Sequence, residues 1–138
     1  NDTELKQLIE KHKLEQSCFL LPPVSNIEEK YAESSIFVLS SRYEGFGMVL
    51  CEAMTCGVPA VSFDCKCGPK DIINHGKDGL LAECCNIDAL AQSVIVLAKD
   101  QVKREQMGRD ALVNSKRFSQ DNIMCIWNDL FENLKSYR

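Results

Sequence analysis

The sequence predicts a doubly wound α/β domain built on a parallel sheet, and three observations predict it. Short apolar runs at 17–21, 35–40, 59–64 and 79–83 are continuous rather than alternating, as strands covered on both faces are. Segments of helical composition separate them, giving the order β-α-β-α-β-α-β followed by helices only. The chain has 138 residues, the size of one domain with a modest core.

Each element has its own signal. Residues 3–14 carry Leu5, Leu8 and Ile9 on one helical face. The run "SCFLL" is stopped by Pro22 and Pro23 and reads as a buried strand. Asn26 stands as an N-cap, with Glu28 and Glu29 in the first turn that follows. "SIFVLS" is the second strand. A helix then runs from about Gly47 to Cys56 and ends at Gly57. "PAVSFD" is the third strand. Pro69 fits the first position of a helix that stops at Gly76. "GLLAE" is the fourth strand, and Asn86 caps "IDALAQSVIVLAKD". Residues 101–116 continue helically. Ser119 opens a last helix to about Lys135 with Ile123, Ile126, Trp127, Leu130, Phe131 and Leu134 on its apolar face. That face reads as core, packed on the sheet.

Composition removes several function classes. The net charge of −4 speaks against nucleic acid as a partner, and no run of 18 apolar residues is long enough to span a membrane. The eight cysteines are spaced as C-x-C and CC rather than as paired C-x-x-C, and only two histidines accompany them. No metal ligands are assigned, and the cysteines read as reduced thiols of a cytosolic protein, small hydrophobes where they lie in "VLCEAM" and "NIMCIW". The chain opens on Asn1 rather than Met and is at once in a helical pattern, which predicts a piece or a processed form of a longer chain.

The informative stretch is "SRYEGFGMVLCEAM", at the carboxyl end of the second strand, where open α/β sheets bind ligands. Gly45 and Gly47 permit close approach of a ligand to the backbone. The first-turn amides near Met48 and Val49 have no intrahelical partner and suit a phosphate. Gly-x-Gly is not a dinucleotide fingerprint here, because Leu50 stands where a third Gly would. Glu52 lies in an otherwise apolar helix, where an unpartnered carboxylate costs several kcal/mol. The hydroxyls of a vicinal diol such as a ribose would satisfy it. Pairing with Arg42 or Lys66, with Glu44 simply solvated, would satisfy it too.

The segment "EGFGMVLCE" resembles the E-x7-E signature of the group 1 retaining glycosyltransferases. "EAMTCGVPAVSFD" and "GPKDIINHGKDGLLAE" extend the likeness, which covers essentially the whole chain. The resemblance implies the GT-B fold, two Rossmann-like domains around a cleft. It identifies residues 1–138 as a single, N-terminally truncated donor-binding domain whose first strands and acceptor domain lie elsewhere. It further implies that Glu52 holds the ribose hydroxyls and that Glu44, the catalytic residue, lies beside the donor hexose. Amides of Phe46 and Gly47 would contact the sugar and those of Met48 and Val49 the diphosphate, with Gly45 part of the same donor-binding turn. No cofactor is implied. The substrate would be a nucleotide diphosphate sugar, with a UDP-sugar favoured. The acceptor would be a glycan or a lipid-linked glycan, bound through the missing domain. "FDCKCGP" looks like a subgroup that builds bacterial surface polysaccharides. The parent enzyme would then work in the cytoplasm, with peripheral docking at the inner face of the membrane left open, and the fragment alone would be inactive. Two departures stand out. The family's diphosphate-binding Arg and Lys precede this chain, and Pro22 occupies the place of a Gly near the nucleobase.

Two other functions fit the same residues: a non-catalytic flavodoxin-like module that binds a nucleotide or phosphate, and a nucleotide-sugar epimerase of the same architecture. The remaining polar candidates read as solvated or structural. His75 sits in a glycine-rich turn, Lys66 and Lys70 flank Gly68-Pro69, and Asp71 offsets a helix dipole or meets a ligand.

Overall fold

A computed structural model describes residues 2–135. Helices α1 (Asp2–Lys11) and α2 (Ile27–Ala32) precede the sheet. Strands β1 (Phe37–Leu39), β2 (Ala60–Asp64) and β3 (Gly79–Glu83) then alternate with α3 (Met48–Thr55) and α4 (Pro69–Ile72). Helices α5 (Ile87–Lys99) and α6 (Gln101–Ser115), a 3-10 turn (Lys116–Phe118) and α7 (Gln120–Lys135) complete the order. The three strands lie side by side as β1-β2-β3. Both pairs are parallel, with Val38 opposite Val61 and Val61 opposite Leu80.

The pleat divides the core. Ala60 joins Leu50, Met54 and Ile72 on the α3–α4 side. Its neighbour Val61, with Phe63, Leu80 and Ala82, joins Leu90 and Leu97 of α5 on the other side. Successive strand residues therefore enter opposite layers, which is why the sequence shows runs rather than alternation. Helix α6 serves both layers, with Ala111 on one side and Met107 on the other.

Four expectations need correction. The run 17–21 is not a strand. The amides of Ser17 and Cys18 bond the Leu14 carbonyl and close the turn after α1. Pro22 and Pro23 have no amide to donate, and what remains finds no partner strand among the described residues. Phe19 and Leu21 are 73% and 67% exposed.

Helix α4 stops at Ile72 rather than Gly76, with Ile73 in extended conformation. The carbonyls a longer helix would use are already engaged. Arg117 donates to Asp71 O and Ile72 O at 2.7 Å, and Asn114 Nδ2 donates to Ile72 O at 3.2 Å. Asn26 stands at the N-cap, but its amide donates to Glu29 Oε1 at 2.7 Å and does not cap the backbone.

The apolar face of α7 is not core. Trp127 and Phe131, 48% and 52% exposed, stack on each other at 5.6 Å rather than on the sheet. Cys125, on the same helix, is exposed too.

Candidate functional site

Three connections meet at the carboxyl end of the sheet: the loop after β1, the loop after β2 and the turn after β3. Tyr43 and Lys66 bridge the first two in parallel register. Gly68 brings them closer still. Its φ is +94, and a Cβ there would lie 1.9 Å from the Phe46 carbonyl oxygen, so no other residue fits. Phe46 in turn rests edge-on against Phe118, ring centroids 5.7 Å apart, with the Arg117 guanidinium 4.4 Å from the Phe118 ring centre. The turn "EGFG" is thus held by the second strand's loop and by the segment after α6.

Gly47 is the N-cap of α3, in left-handed conformation at φ 95, ψ 47, and offers no side-chain cap. The Leu50 amide bonds the Gly47 carbonyl at 2.9 Å. Met48 N–H and Val49 N–H stand ahead of that bond, at the positive end of the helix. Met48 and Phe46 are exposed, Val49 is half-buried, Gly45 is exposed and Gly47 buried.

Glu52 is half-buried one turn on from Met48. Its partner within the fold is neither Arg42 nor Lys66. Tyr31 Oη, from α2, donates to Glu52 Oε2 at 3.0 Å. Tyr31 is only 5% exposed and stands edge-on to Phe37 at 5.6 Å. Burial, the hydrogen bond to Glu52 and the Glu52 charge together push its hydroxyl up to about 12, so it remains a neutral donor at physiological pH. Among the described residues no buried side-chain oxygen lacks a partner, so the second Glu52 oxygen opens to the surroundings. The carboxylate in the apolar helix is therefore oriented by one protein hydroxyl and keeps capacity for more.

Glu44 is half-buried and has no hydrogen-bond or ion-pair partner among the described residues. It stands near Cys65 at the end of β2. Burial first, then the carboxylates of Glu44 and Asp64, pushes the Cys65 thiol up. A cavity of about 500 Å³ lies along the outer side of α3, lined by Phe46, Met48 and Glu52 and, opposite, by Lys116, Phe118 and Ile123. A larger open cleft of about 980 Å³ runs between α1 and α2 past Phe19, Leu21 and Pro22. It holds neither Glu44 nor Glu52, whereas Glu52 lines the smaller cavity.

The other polar candidates fall as follows. Lys66, Lys70 and Asp71 are exposed. His75 is exposed, but its Nδ1 accepts the Leu81 amide at 2.9 Å, so the neutral ring carries its proton on Nε2. Among the described residues no group of three or more His, Cys, Asp or Glu side chains is placed to hold a metal ion.

Two contributors escape the sequence pattern. Tyr31 is the only buried residue of α2, and its partner Glu52 lies 21 positions on, beyond any local pattern. Asp78 is fully buried and accepts from Asn74 N and Asn74 Nδ2 at 2.8 Å and from Asn114 Nδ2 at 2.7 Å. It ties the β3 start to α6, and nothing nearby in sequence announces Asn114.

Known proteins share this architecture. The model of the family described as glycosyl transferases group 1 matches residues 1–112. An exopolysaccharide phosphotransferase of Streptomyces coelicolor is 38% identical over 99% of this chain and 14% of its own length. An amylovoran biosynthesis glycosyltransferase of Erwinia amylovora is 34% identical over 92% of this chain and 36% of its own. Staphylococcus aureus TarM, solved in complex with UDP and α-GlcNAc-glycerol, superposes with a TM-score of 0.87 at 32% identity, over 94% of this chain and 26% of TarM. The chain thus spans well under half the length of each of these relatives.

Proposed function

The chain belongs to the group 1 glycosyl transferases, and on that premise we propose that it forms the donor-binding part of a retaining hexosyltransferase of bacterial surface polysaccharide synthesis. The donor is a nucleotide diphosphate sugar, with uridine as the base, in keeping with the UDP held by TarM. The acceptor is a glycan or lipid-linked glycan, met by parts of the enzyme outside this chain. The reaction belongs in the cytoplasm, at the inner face of the membrane when the acceptor is lipid-linked; no helix among the described residues is long and apolar enough to cross a membrane.

One observation carries the proposal: a half-buried Glu44 and a Tyr31-oriented Glu52 flank a glycine turn, and among the described residues neither Glu44 nor the helix-start amides have a hydrogen-bond partner. In the proposed mechanism the Met48 and Val49 amides face the diphosphate and stabilise the charge that grows on it as the anomeric C–O bond breaks. Glu44 faces the developing positive charge on the anomeric carbon. Glu52 takes the ribose hydroxyls and fixes the donor's register, so binding energy from a remote group orients the reacting one.

A donor screen on the protein at its full natural length, reading released nucleoside diphosphate, tests the proposal. Glu44→Ala should lower kcat at least about 100-fold while donor Kd moves less than about threefold. Equal losses in both would assign Glu44 to binding rather than to the transition state. Tight ligand binding without any release would favour the non-catalytic module instead.

A further inference from the structure

The turn after β3 carries a feature that the donor site does not use. Glu83 O accepts the Asn86 amide at 3.0 Å, so Cys84 and Cys85 are the two central residues of a tight turn. Cys85 is in left-handed conformation at φ 66, although it is not glycine. That conformation brings both thiols to one side, with Cys84 Sγ and Cys85 Sγ 3.7 Å apart. Cys85 is exposed and Cys84 half-buried. Cys84 Sγ also lies 3.8 Å from the Arg42 carbonyl, two residues ahead of Glu44.

We propose that Cys84 and Cys85 are a redox modification site, a vicinal dithiol that a low-molecular-weight disulfide closes to an eight-membered disulfide ring. The exposed Cys85 thiolate attacks a sulfur of the small disulfide and releases one small thiolate, leaving a mixed disulfide. Cys84 then attacks the Cys85 sulfur and expels the second. Two protein thiols lose two protons and two electrons, and one small disulfide becomes two thiols. The sulfurs need close only from 3.7 Å to about 2.05 Å. The hydrogen bond to Cys85 pushes the Cys84 thiol up, which leaves the first attack to Cys85. Neighbouring Cα atoms lie about 3.8 Å apart, closer than in most disulfides, so the ring is strained and readily reduced. Such a bond suits reversible sensing in a reducing compartment rather than permanent cross-linking. Its formation draws Cys84 away from the Arg42 carbonyl, at the base of the Glu44 loop.

The test uses oxidised glutathione on the purified native protein, followed by iodoacetamide, trypsin and mass spectrometry. Cleavage after Lys77 and Lys99 releases both cysteines on one peptide, Asp78–Lys99, which contains no others. The expected peptide is lighter by two hydrogens, takes up no iodoacetamide, and regains two alkylatable thiols with dithiothreitol. Cys85→Ser should abolish the ring and leave at most one glutathione on Cys84. A wild-type peptide carrying two alkyl or glutathione groups overturns the proposal, as does one cross-linked to the Cys65–Cys67 segment. Phenylarsine oxide gives a second readout: one arsenical should bridge this peptide with loss of water, and none should bind in Cys85→Ser. Neither readout depends on the donor-site assignment.

Discussion

Replacing Tyr31 with phenylalanine removes one oxygen and nothing else from a 5%-exposed ring. The lost bond is a hydroxyl donating to a carboxylate at 3.0 Å. Hydrogen bonds to charged groups contribute about 1.5–3 kcal/mol, and the half-exposure of Glu52 reduces this to about 1–1.5 kcal/mol. The pH dependence carries a sharper signature. The Tyr31 hydroxyl is raised from 10.0 to about 12 in the folded state. A raised value contributes stability that is fully present below pH 10 and is lost as pH rises toward 12. Each pH unit in that window removes about 1.4 kcal/mol more from the wild type than from the Phe variant, which keeps every other titrating group. The wild-type advantage should therefore be constant from pH 7 to 9 and close to zero at pH 11. Urea unfolding of both proteins at pH 7, 9 and 11 measures it. A difference that persists unchanged at pH 11, or one below about 0.3 kcal/mol at pH 7, would refute the assignment of Tyr31 as the donor that holds Glu52.

Three further changes follow from the same contacts. Gly68→Ala places a carbon 1.9 Å from the Phe46 carbonyl oxygen at φ +94. It should lower stability by more than about 2 kcal/mol and displace the Phe46 loop. Gly45→Ala, with nothing within 4 Å of the added carbon, should change it by less than about 0.5 kcal/mol; thermal denaturation of the pair checks both. Asp78→Ala strips the acceptor from three donors on Asn74 and Asn114. It should cost about 3–5 kcal/mol, against a smaller loss for Asp78→Asn, by the same assay.

The parts of the fold that were legible in the sequence are those fixed by local chemistry. Continuous apolar runs place β1, β2 and β3, Gly57 ends α3, and the Asn86 side chain caps α5 by accepting the Ala89 amide at 3.0 Å. Glu44 lies on the loop after β1 and Glu52 within α3, on either side of the glycine turn. What was not legible depends on distant partners. Tyr31 reaches Glu52 across 21 positions, and Asn114 reaches Asp78 across 36. Arg117 takes the Ile72 carbonyl across 45 and so ends α4 early. The run at 17–21 has the composition of a strand, but pairing requires a neighbour that periodicity does not report. An apolar stripe such as that of α7 likewise states that a face is apolar without stating what covers it.

In the proposed mechanism Glu52 grips the ribose of a nucleotide lying across the start of α3. Calorimetric titration of the protein with UDP and with its 2′-deoxy analogue, in wild type and Glu52→Ala, tests it most directly. Wild type should prefer the ribose form about tenfold, equivalent to one hydroxyl hydrogen bond of about 1.4 kcal/mol, and the variant should bind both equally. A preference that survives Glu52→Ala, or one that is absent from the wild type, would contradict it.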